Sequence, residues 1–135
     1  MRTKRLLVLV AGVGSLLLLT VLPTWAHHAF SAEFDFTKPV QLEGTITKVE
    51  LINPHSWFTI EVEAGDGTTE TWEIEAGAPN SLFRRGFTRD SLPVGTKVTV
   101  RGYRAKSGEM RANGGNITAS DGFTIFLGGS NPDNQ

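Results

Sequence analysis

Apolar residues return at every second position in stretch after stretch of this chain, and that period commits it to β-structure. From Val40 to Leu51 the apolar set is Val40, Leu42, Gly44 and Ile46, and after a change of side near Lys48 it continues with Val49 and Leu51. A period of two describes a strand with one face against a core, and a glycine inside it marks a bend or a close approach. Asn53-Pro54 ends the run, because proline lacks the ladder donor and restricts the residue before it. Trp57, Phe58, Ile60 and Val62 form a second strand, Gly65-Asp66-Gly67 a turn, and Trp72, Ile74 and Ala76 alternate with Thr71, Glu73 and Glu75 in a third. Next comes a short helix, with Asn80 as its N-cap, Ser81–Arg85 as its body and Gly86 as its stop. Lys97–Tyr103 alternates again, a hairpin at Ser107-Gly108 leads into 109–119, and Phe123–Leu127 makes a last short strand.

Three strands, a short helix and two or three further strands give an all-β chain. Its order is that of an OB-like barrel of five to six strands. The same alternation is compatible with another small barrel or a sandwich. This architecture carries no function of its own.

The amino-terminal region adds a compartment. Arg2, Lys4 and Arg5 precede an apolar run from Leu6 to Leu22, and Thr24-Trp25-Ala26 offers small residues at the −3 and −1 positions of a cleavage site. Those are the parts of a secretory signal peptide, so the expected location is periplasmic or secreted. An uncleaved anchor is the alternative, although the run is shorter than the roughly 20 residues that span a bilayer. The expected organisation is a signal peptide over 1–26, an N-terminal extension over 27–39, an OB-like barrel over 40–128 and a flexible tail over 129–135. After cleavage no stable membrane insertion is expected. With no cysteine in the chain, neither disulfides nor thiolate chemistry is available.

Cleavage would remove three of the 13 Lys and Arg and none of the 14 Asp and Glu, leaving a formal charge of −4. Phosphate backbones select a basic stripe. Here the one cluster is Arg84, Arg85 and Arg89, so a nucleic-acid partner is disfavoured.

The histidines carry the chemistry. All three fall in two short motifs, His27-His28 and Asn53-Pro54-His55. Cleavage after Ala26 would free the His27 amine, and amine plus imidazole Nδ1 closes a chelate ring on one ion. A nitrogen pair of that kind suits tetragonal Cu(II) or Ni(II), and an amine with an ordinary pKa near 8 gives up its proton to a metal at neutral pH. His55 would supply another imidazole and His28 a further ligand or a positioning group. The arrangement is similar to the histidine brace of copper monooxygenases and copper carriers. It departs from many carriers in having Met110 as the sole methionine after residue 26. The competing reading is a polar terminus at His27 and His28 and a histidine that satisfies its own turn at 55.

Trp57, Phe58 and Trp72 could form a stacking platform, or could be core and cross-strand pairs. A module without metal would dock an envelope protein or a small ligand through Asn53, Trp57 and Trp72. Glu33, Asp35, Glu50 and Asp90 have no spacing that pairs them for acid–base work, and no Gly-x-Ser-x-Gly occurs. No catalytic residue is assigned, although a metal with an open position could activate water or oxygen.

The stretches His27-His28-Ala29-Phe30-Ser31-Ala32-Glu33-Phe34-Asp35, Lys38-Pro39-Val40-x-Leu42-x-Gly44, Glu50-x-x-Asn53-Pro54-His55-Ser56-Trp57 and Trp72-x-Ile74-Glu75 resemble a family of small exported bacterial proteins classed only as a domain of unknown function. The resemblance runs through nearly all of the chain after residue 26. It implies a periplasmic or secreted barrel and brings no activity with it.

Overall fold

A computed structural model describes residues 32–129 and Pro132. The chain divides into a unit of Met1–Ala32 and a unit of Glu33–Gln135, and the architecture below is that of the second. The expected signal peptide and the pair His27 and His28 lie outside the described residues.

Among the described residues from Phe34 onward, six strands and one α-helix follow in the order β1 (Phe34–Glu50), β2 (Ser56–Glu63), β3 (Thr69–Ala76), α1 (Pro79–Arg84), β4 (Lys97–Ala105), β5 (Arg111–Ala119) and β6 (Thr124–Phe126). Neighbours in the sheet run β3-β2-β1-β4-β5-β6, and a further pairing of β3 with β5 closes five of the strands into a ring. All pairs are antiparallel except β3–β5, which is parallel. The chain is therefore all-β with one short helix, and its closed ring has the strand order of an OB-like barrel.

The long first strand makes closure possible. Its earlier part pairs with β4 and its later part with β2, and Gly44 and Thr45 pair with both. A side chain at Gly44 would place its Cβ 2.5 Å from the Glu61 carbonyl oxygen, so only glycine lets the strands approach this closely. The register with β2 slips between Ile46 and Lys48. That bulge is the change of side seen near Lys48 in the sequence, and an extra residue there bends and coils the strand.

The first strand starts earlier than the sequence suggests. Residues 34–39, expected as part of an extension, belong to β1, since Phe34 is buried and pairs with Ala105 while Pro39 pairs with Tyr103. The register shifts between these two pairs, which is where a proline can sit in a ladder.

The core gathers Leu42, Ile46, Phe58, Ile60, Trp72, Ile74, Val98, Val100, Ala112, Ile117, Ile125 and Leu127 with Leu82 and Phe87 from the helical segment. Each large aliphatic or aromatic side chain here contributes about 1.5–3 kcal/mol of transfer free energy. Asn80 is not the N-cap. Ala78 holds that place, with Pro79 at the start of the helix, where proline's fixed φ suits the first turn and its missing donor costs nothing. The C-terminal end is as expected: Gly86 has φ +93°, its N–H donates to the Phe83 carbonyl, and the Phe87 N–H donates to that of Leu82. This pair of bonds satisfies the last carbonyls and lets Phe87 turn back, where it meets Phe58 edge-to-face at 5.8 Å. Among the described residues no helix is long and apolar enough to cross a membrane.

Candidate functional site

Register builds the site. Trp57 lies opposite Glu75 across β2–β3, Glu75 opposite Asn113 across β3–β5, and Asn113 opposite Tyr103 across β4–β5. Residues directly opposite one another share a face, and this face is turned away from the core residues Trp72, Ile74 and Ala76 of β3. The neighbouring row is Thr59, Glu73 and Arg111.

A carboxylate on such a face normally meets water, but Glu75 is 7% exposed. Its Oε1 is 2.5 Å from Nδ1 of His55, whose imidazole remains half exposed. His55 ends the β1–β2 loop, whose Asn53–Pro54 peptide is cis, and the next residue is anchored by the Ser56 N–H donating to the Gly77 carbonyl. Ser56 pairs with Ala76. His55 is therefore the diagonal neighbour of Glu75, within reach for a long side chain.

Burial is the largest influence on Glu75 and lifts its carboxyl above the ordinary 4.5, with Glu33 adding to the rise, while His55 and Arg111 pull it down. Arg111 donates to Glu73 Oε2 through Nη2 at 2.8 Å and through Nε at 3.2 Å, and its Nη1 stands 3.6 Å from Glu33 and 3.8 Å from Glu109. Its guanidinium also lies 5.2 Å from the ring centre of Trp57, a cation–π contact. The Glu33 carbonyl accepts the Lys106 N–H, which ties the start of this unit to the β4–β5 hairpin.

Of the residues singled out in the sequence, His55 and Trp57 come together at this place, His55 exposed and Trp57 half-buried, while Asn53 is an exposed residue of the β1–β2 loop with no contact to the cluster shown. Trp72 does not join them. It is 3% exposed in the core, with Arg104 over its ring at 5.0 Å and its Nε1 donating to Glu70. Among the described residues no group of three or more His, Asp or Glu is arranged to hold a metal ion. Glu75, Glu73, Asn113 and Arg111 were not candidates on sequence grounds. One signal for Glu75 was present: it is the sole charged residue in Ile74-Glu75-Ala76-Gly77-Ala78, and a lone carboxylate in an apolar run needs a partner.

A family model of unknown function, DUF6152, matches residues 16–115. The chain belongs to this family. The DUF6152 match takes in His27, His28, His55, Glu75 and Arg111 and stops short of β6. No curated protein and no solved structure matches the chain.

Proposed function

We propose that this DUF6152 protein is exported by a signal peptide over residues 1–26 and acts in the periplasm or outside the cell as a binding protein for a copper-type divalent ion. In this reading the His27 amine and Nδ1 chelate the ion, His55 adds a ring nitrogen, and His28 is a further ligand or a positioning group. The observation that supports it most is the exposed His55 imidazole beside the charge cluster of Glu75, Arg111 and Glu33. Glu33 follows His27 by six residues in the sequence, so the expected amino terminus is a near sequence neighbour of a residue of this cluster.

The test is calorimetric titration of Cu(II) into protein whose chain starts at His27, compared with the same protein carrying one extra residue before it. The native terminus should bind one ion per chain tightly and the extended one far more weakly, with affinity falling below about pH 6 as the donor nitrogens take up protons. Equal affinities would discard the chelate.

A second reading is an interaction module that docks an envelope protein through the β1–β2 loop without metal. Ile52 favours it, being 52% exposed next to the exposed Asn53 and Pro54. Correctly processed protein that takes up no ion would favour this alternative.

A further inference from the structure

We propose that Glu75 is the positioning residue of the site, taking the Nδ1 proton of His55 in a hydrogen bond and so making Nε2 the ring nitrogen that meets a ligand. The assignment of that ligand as a metal ion rests on the proposed function. The orientation of the ring does not.

Three features of the fold carry the inference. The carboxylate is fixed in place, since Ala76 beside it is held in the ladder opposite Ser56, and Trp57 and Asn113 flank it on its own face. It is also shielded, with a side chain 9% exposed against 52% for His55, so water competes poorly for its oxygen. Finally, the contact is made by Nδ1 at 2.5 Å, and an ionised carboxylate accepts hydrogen bonds but donates none. The proton therefore sits on Nδ1, and the lone pair is on Nε2, at the other edge of a half-exposed ring. Histidines that bind metals are commonly oriented in this way by a carboxylate on the far nitrogen, and loss of that partner typically lowers metal affinity about 10–100-fold.

The sequence alone hid this pairing. Glu75 falls on the polar side of an alternating strand, and the residue that faces it is 20 positions earlier in a loop.

The deciding experiment reads the tautomer first, without metal. In ¹⁵N-labelled protein starting at His27, long-range proton–nitrogen correlation at neutral to mildly alkaline pH should show His55 with a protonated Nδ1 and a bare Nε2. Glu75→Leu, of similar bulk and with no acceptor, should shift His55 towards the opposite tautomer, and Glu75→Gln, whose amide oxygen still accepts, should stay closer to the native pattern. Cu(II) affinity should fall about 10–100-fold in Glu75→Leu and less in Glu75→Gln. A wild-type His55 carrying its proton on Nε2 would overturn the proposal, as would Glu75→Leu that keeps the native tautomer. Should Glu75→Leu fail to fold, the wild-type tautomer and the Gln variant still decide. A native tautomer that depends on Glu75 in protein that takes up no Cu(II) would sustain the positioning role and remove the metal reading alone.

Discussion

Glu75 and Asp66 are both hydrogen-bonded carboxylates, and folding shifts them in opposite directions. Burial raises the Glu75 carboxyl above 4.5, so ionising it costs more in the folded state than in the unfolded chain. Its contribution to stability is complete below pH 4.5 and is lost as pH rises through the raised value. Glu75→Gln should accordingly melt higher than the native protein at neutral pH, with the advantage vanishing in acid below 4.5. Asp66 is fully exposed and accepts from the hydroxyl and the N–H of Thr68 in the β2–β3 turn, which lowers its pKa below 3.8. Its contribution is present above 3.8 and is lost as pH falls through the lowered value. Asp66→Ala should thus melt lower than the native protein at neutral pH, with the gap closing in strong acid. Thermal melts of the two variants from acidic to neutral pH check both slopes. Two slopes of the same sign would mean that one of the two environments is misassigned. The Asp66 turn was legible from Gly65-Asp66-Gly67 by local chemistry alone. Glu75 was not, because alternation assigns a face but cannot tell which loop, strand or histidine later covers it.

At the scale of elements, local pattern located most of the strands, and departures arise where long-range pairing extends or recaps them. The bulge near Lys48, the β2–β3 hairpin and the Gly86 stop all follow from neighbours in sequence. The start of β1 does not, since Phe34 is drawn into the strand by Ala105 more than 70 positions away. The helix start was misplaced because Asn80 is a good cap in isolation, whereas Pro79 already supplies the first turn. Gly44 gives the sharpest test of the assembled elements. With a Cβ there only 2.5 Å from the Glu61 carbonyl oxygen, Gly44→Ala should cost about 1–3 kcal/mol, as overpacking does. Gly65 is the control: a Cβ there meets nothing within 4 Å, and its φ lies outside the left-handed region, so Gly65→Ala should lie within about 0.5 kcal/mol of the native protein. Denaturant titration of both variants measures the contrast, and equal stabilities would contradict the close approach of β1 and β2.

For the whole molecule, the question is whether the five-strand ring stands without β6. Residues 16–115 match the family, while β6 and the residue after it bring Ile125 and Leu127 into the core, 4% and 0% exposed. Leu127 also bridges elements through its backbone, its N–H donating to the Gly115 carbonyl and its carbonyl accepting from Gly77. Its side chain fills the space where a Cβ at Gly114 would fall, directly against Ile74 at the β3–β5 seam. That seam is the shortest of the pairings in the ring, with three residue pairs, so the closing contact depends on the segment beyond it. Truncating a buried Leu or Ile to Ala costs about 2–5 kcal/mol, against a total stability of about 5–15 kcal/mol for a domain. Leu127→Ala should therefore lower the denaturation midpoint markedly while leaving a cooperative transition, and a chain ending at Gly122 should lose cooperative unfolding altogether. Circular dichroism melts of the two proteins decide the point: a truncated chain that melts cooperatively near the native temperature would show that the ring closes by itself and that β6 is an accessory to it.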